Sequence, residues 1–133
     1  MTLGEKISTK MTELNISKEE LLKKTEIKEW VMDLILKDLH YPENAQLKRL
    51  SQALKTTPGK LGYNKKEMTD FSEKIPADGL YFVEYTVPET AKLKYGYRMF
   101  LGGKWFNPRY SRNGKIIEKI PVRNTVTKWM EIK

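Results

Sequence analysis

The sequence predicts an α+β protein, with a five-helix N-terminal domain followed by a small antiparallel β-sheet of four to five strands. Three observations predict it. Up to Leu61, apolar residues recur at intervals of three and four, the period of a helix with one buried side. From Leu80 onward they alternate and are mostly aromatic or β-branched, which suits half-buried strands. Between the two, Tyr63 to Asp70 is polar and rich in lysine. A helical domain over 1–63, a linker over 64–73 and a β domain over 74–133 follow from these shifts. Each half holds roughly 60 residues, a size at which a single core stabilises only marginally, so docking of the halves or a homodimer is expected.

The helices have individual start and stop signals. Leu3, Ile7, Met11 and Leu14 share one side of the first, with Thr2 and Glu5 placed for a capping box and Asn15 for a left-handed end. Ser17 with Glu20 opens the second, and Ile16 and Leu21 are spaced for a hydrophobic staple, so this helix runs to about Lys24. The third spans about Lys28 to Leu39, with Val31, Met32, Ile35 and Leu39 inward. Pro42 opens the fourth, carrying Leu47, Leu50 and Leu54, and Thr57-Pro58 opens a short fifth anchored by Leu61.

In the second half, Leu80 to Val87 and Leu93 to Leu101 read as strands. Gly102-Gly103 permits a tight turn into a strand from Lys104 to Phe106. Asn113-Gly114 is the strongest hairpin signal and leads into Lys115 to Ile120, where Pro121 interrupts the run. Thr125 to Ile132 closes the sheet.

Charge is concentrated in this half. The chain carries a net +8, yet Lys92 to Lys128 alone holds ten basic residues against one acid, Glu118. Interleaved with Tyr95, Tyr97, Trp105, Phe106 and Tyr110, these cations are the residue types that neutralise phosphates and stack on bases. The expectation is that they gather on one exposed side of the sheet, while the alternative has the aromatics filling the core. Lys92, Lys94, Arg98, Lys104, Arg109, Arg112, Lys115 and Arg123 are the candidates for binding nucleic acid or an acidic partner, a DNA mimic included.

Other classes of function find little support. No cysteine is present, so there is no disulfide framework or thiolate chemistry, which is compatible with a cytoplasmic address. No apolar run reaches membrane-span length, so no membrane partner is expected, and Met1 to Asn15 reads as an amphipathic helix rather than a signal peptide. The single histidine, His40, falls at the end of the third helix, where a cation suits the helix dipole. No metal-ligand cluster, phosphate-cradling loop or nucleophile motif occurs, and Asp78-Gly79 reads as a turn. Neither enzymatic activity nor a cofactor is expected.

Residues 3–62 resemble the XRE, or lambda-repressor-like, helix-turn-helix family. Ser17, Glu20 and Leu21, then Ile27, Met32, Ile35 and Pro42, and finally Leu47, Leu50, Ala53, Leu54 and Leu61 match in register. The resemblance implies that Lys18, Lys28, Glu29, Trp30, Asp33, Leu34 and Lys37 face double-stranded DNA, with Asn44 near the backbone at the fourth helix. Two departures stand out. Leu22 replaces a small alanine, and Glu26 replaces the turn glycine, where a left-handed conformation costs roughly 1–2 kcal/mol, so an altered turn is expected. Glu29 and Asp33 accept only from cytosine and are repelled by phosphate, which leaves Lys18, Lys28 and Lys37 as phosphate contacts. Trp30 and Leu34 are either core residues or an exposed protein-partner patch. The β half is similar, more weakly, to a short phage-encoded domain of unknown function, through Ile75 to Gly79, Gly103-Lys104-Trp105 and Val126 to Met130.

Two functions follow as expectations. The first is a phage-type, DNA-binding transcriptional regulator whose basic sheet adds phosphate contacts or oligomerisation. The second is a phage inhibitor of the anti-CRISPR or counter-defence kind, which reuses the helical fold to bind a nucleic-acid-handling protein or its bound nucleic acid. A plainer third is an oligomerising structural protein without DNA affinity.

Overall fold

In a computed structural model, which describes residues 1–90, 92–111, 113–121 and 125–132, the chain divides into two compact units, Met1–Asn64 and Lys65–Ile132. The first holds helices α1 (Leu3–Leu14), α2 (Lys18–Thr25), α3 (Glu29–Leu36), α4 (Asn44–Ala53) and α5 (Pro58–Leu61). The second holds a 3-10 turn (Lys65–Glu67) and strands β1 (Thr69–Asp70), β2 (Gly79–Thr86), β3 (Leu93–Leu101), β4 (Lys104–Tyr110), β5 (Ile116–Pro121) and β6 (Thr125–Glu131). The architecture is α+β with the helices first, and the sheet has six strands rather than the four to five expected.

Local hydrogen bonds start the helices as the sequence implies. Thr2 Oγ1 accepts from the Glu5 amide at 3.2 Å, while the Glu5 carboxylate accepts from the Thr2 amide at 3.4 Å. Ser17 Oγ accepts from the Glu20 amide at 3.2 Å, and Thr57 Oγ1 from the Lys60 amide at 3.3 Å. Each such cap satisfies an amide that has no partner within its helix and is worth about 1 kcal/mol. At α4 the cap is Glu43, whose amide donates to Gln46 Oε1 at 3.0 Å; Asn44 is the first helical residue.

The apolar stripes meet in one core of Leu3, Ile7, Leu21, Ile27, Met32, Ile35, Leu50, Leu54 and Leu61. Here α1 packs on α3 and α2 on α4. The first pair approaches so closely that a Cβ on Gly4 would strike the backbone carbonyl of Leu36, and the Gly4 amide donates to Asp38 Oδ1 at 2.9 Å. That bond accompanies an early stop: α3 ends at Leu36, not Leu39, because Asp38 turns left-handed (φ 60). Leu39, now outside the helix, is only half-buried, as is Val31 within it, and His40 lies beyond the helix, in the connection to α4.

The sheet is antiparallel in the order β1-β6-β2-β3-β4-β5. Residues 65–70, expected in a linker, carry the 3-10 turn and β1 of the second unit. Gly102 (φ 56) and Gly103 (φ 83) make the β3–β4 turn, whose Gly102 amide donates to Asp78 Oδ1 at 3.1 Å. Pairing of β3 with β4 covers only Met99–Leu101 with Lys104–Phe106, and two residues further along β4 comes Pro108, which has no amide to donate. Pro121 does not interrupt β5 but ends it, a place that a terminal strand tolerates.

One face of the sheet carries the buried cluster Tyr81, Val83, Tyr85, Phe100, Val126 and Trp129, with Phe71 and Trp105 packed against it. Edge-on ring contacts join Tyr81 to Trp129 (5.2 Å) and Phe71 to Trp105 (5.7 Å). The strap between β1 and β2 is held over this face by Trp129 Nε1 donating to the Lys74 carbonyl and Tyr81 Oη to the Ala77 carbonyl, at 2.8 and 2.7 Å.

Candidate nucleic-acid interface

The turn between α2 and α3 keeps a left-handed backbone without glycine. Glu26 sits at φ 57, ψ 21, and its amide donates to the Leu22 carbonyl at 2.9 Å. Thr25, fully buried, accepts from the Ile27 amide at 3.4 Å and donates to the Leu21 carbonyl at 2.7 Å. These bonds and the burial of Ile27 hold the left-handed turn at Glu26.

Around α3 the candidate residues divide. Lys18 forms ion pairs with Asp33 and, at 3.5 Å, with Glu29, joining the start of α2 to the outer side of α3. Its hydrogen bond to Asp33 raises the lysine pKa. Lys18 is therefore already matched by two carboxylates. Lys28, the N-cap residue of α3, and Lys37, at its C-cap, are exposed, as is Asn44. Trp30 is 42% exposed, whereas Leu34 is only 6% exposed and belongs to the core. The two alternatives therefore divide between the residues: the helix turns Leu34 inward with Met32 and Ile35 and leaves Trp30 outward.

The cations of the sheet do not share a side. Directly opposed residues in an antiparallel pair lie on the same face. Register with Tyr85 and Tyr81 puts Lys94 and Arg98 on the face of the buried cluster, and alternation from Trp105 puts Arg109 there too. Lys104, Lys119 and Lys128 fall on the other face, through their register with Leu101, Pro108 and Glu84. Lys92 and Lys115 are exposed outside the strands. Arg112 and Arg123 lie outside the described residues. A period-two strand sends alternate side chains to opposite faces, so a high density of cations in sequence becomes a divided charge in space.

Several of these residues are also committed within the fold. The Arg98 guanidinium lies over the Tyr85 ring at 4.6 Å and donates from Nη1 to the Tyr97 carbonyl at 2.7 Å, and burial lowers its pKa. Gly96 leaves the space for it, since a Cβ there would sit 3.1 Å from Nη1. Arg109 pairs with Glu118 at 3.4 Å. Tyr97 is buried and Trp105 half-buried in ring contacts, while Tyr95 stacks on Phe82 at 5.9 Å. The aromatics therefore mainly serve packing, and among the described residues no continuous base-stacking platform accompanies the cations.

One hydrogen-bonded cluster escaped the sequence reading. Glu84, buried within β2, accepts from Tyr95 Oη at 2.7 Å and Thr127 Oγ1 at 2.8 Å, and Lys65 Nζ lies 4.0 Å over the Tyr95 ring. Burial, then the bond to Glu84, pushes the Tyr95 phenol up to about 12. The signal available was an acid standing alone among apolar residues in LYFVEYTV.

Among the described residues, no group of three His, Cys, Asp or Glu side chains is placed to hold a metal ion, and no helix is long and apolar enough to cross a membrane. Comparison of the chain with protein-family models, with curated proteins and with solved structures gave no match.

Proposed function

We propose that the chain is a DNA-binding protein, a phage-type regulator that docks its Met1–Asn64 unit on duplex DNA through α3. The carrying observation is the left-handed Glu26 between α2 and α3, at the position where the resembled XRE family has glycine. A side chain that disfavours the turn, in a chain that nevertheless forms it, supports a turn whose geometry matters.

The chemistry favours phosphates over bases. Lys28 and Lys37 stand at the two ends of α3 as exposed donors, whereas Glu29 and Asp33 between them offer acceptors only and hold Lys18. Contact with DNA then requires Lys18 to exchange its carboxylates for a phosphate. Lys28→Ala should weaken all duplex sequences alike and reduce the salt slope of binding by about 1. Asp33→Asn should tighten binding by freeing Lys18. Fluorescence anisotropy with two unrelated duplexes checks both, and an unchanged or weaker affinity in Asp33→Asn would contradict the reading.

A second reading is favoured by the exposed Trp30 on α3, together with the pairing of Lys18 to Asp33. Here the unit is the scaffold of a counter-defence inhibitor, with Trp30 as the anchor for a nucleic-acid-handling protein. It is separated from the first by the absence of duplex binding at low salt.

A further inference from the structure

Strand β5 is a terminal strand, hydrogen-bonded only to β4. Every residue from Ile116 to Ile120 is exposed, with Ile116, Ile117 and Ile120 at 41%, 65% and 38%. Unpaired edges are ordinarily blunted by charge, proline or brevity. Here Lys119 and Pro121 give some protection, but three exposed isoleucines stand in a strand of six residues. Apolar side chains beside an unpaired backbone edge are the chemistry of strand addition.

Charge selects the occupant. Glu118 is ion-paired across to Arg109 of β4, which leaves Lys115 and Lys119 as the cations without an acidic partner among the described residues. Symmetry opposes a second copy of the chain. Two identical antiparallel strands related by a two-fold axis set their central residue opposite its own copy. The centre of β5 is Glu118-Lys119, so the best-overlapping registers put carboxylate against carboxylate or ammonium against ammonium, and like charges directly opposed destabilise a strand pair.

We propose that the outer edge of β5 takes up an extended acidic segment of another protein as a seventh strand. Its main chain pairs with β5, its apolar side chains lie against Ile120 on one face, and its carboxylates lie against Lys119 on the other.

The test uses the full chain and a fluorescent, acetylated and amidated octapeptide of alternating glutamate and valine, with a lysine–valine octapeptide as its charge-reversed control. Anisotropy should show the acidic peptide binding about tenfold more tightly, from one or two cross-strand charge pairs. Methylating alternate backbone nitrogens of the peptide should abolish binding. Lys119→Glu, an exposed change, should remove the preference for the acidic peptide and leave duplex affinity unchanged. Failure of both peptides to bind, equal binding of the two, or retained binding of the methylated peptide would overturn the proposal. So would dimerisation of the chain, seen by sedimentation, that Ile117→Lys abolishes.

Discussion

Glu26 holds a backbone conformation that glycine adopts without cost, and three further helix ends do the same with Asn15, Asp38 and Lys55 (φ 53, 60 and 54). Replacing Glu26 with glycine should relieve the strain and, after the added freedom of the unfolded chain is subtracted, stabilise the helical unit by about 0.5–1 kcal/mol in urea denaturation. A loss of stability would show that the Glu26 side chain itself supports the turn. The Glu84 cluster makes a second prediction at this scale. Tyr95→Phe leaves a buried carboxylate one donor short and should cost about 1–3 kcal/mol. The folded chain keeps the Tyr95 proton to about 12, against 10.0 for the ordinary phenol, so it binds more protons than the unfolded chain in that window. Stability from this group is therefore complete below pH 10 and is lost as pH rises towards 12. Comparing the alkaline melting of the native chain and Tyr95→Phe isolates that loss, which should be absent from the variant. Caps at Thr2, Ser17 and Thr57 were legible in the sequence because the side chain and the amide it serves lie three residues apart. Asp38 and Lys55 were not, since their left-handed turns depend on the packing around them.

Among the elements, α1 and α3 depend on close approach. Gly4→Ala places a methyl against the Leu36 carbonyl, and because backbone cannot swing aside as a side chain does, the change should destabilise the helical unit by about 1–3 kcal/mol. Chemical denaturation followed by helical circular dichroism measures it, and a neutral result would mean that the helices can separate without cost. The pattern of the sequence placed all five helices and five of the six strands, because periodicity extends over each of them. β1 escaped: two residues, Thr69 and Asp70, have no period and gain their structure from Trp129 and Lys128, far along the chain. The end of α3 was overextended for a related reason. Leu39 continues the apolar spacing, but Asp38, bonded to the Gly4 amide, reverses the chain before it.

For the whole molecule, the net charge of +8 is legible from composition, whereas its direction is not. Lys94 and Arg98 share one face of the sheet and Lys104, Lys119 and Lys128 the other, and Lys18 is tied to acids of its own unit. Composition therefore overstates how strongly any one surface attracts a polyanion, and the affinity expected for DNA is that of a few phosphate contacts on the helical unit. The site was legible only in part for the same reason: the resemblance picks out Lys28 and Lys37, but the ion pairs that occupy Lys18 and the inward turn of Leu34 exist only in the folded chain. The most direct measurement is the affinity of the full chain for a duplex across a range of salt concentrations. Contacts by Lys28, Lys37 and a released Lys18 predict that log K falls against log salt with a slope of about −2 to −3. No binding at low salt, or binding indifferent to salt, would contradict the account.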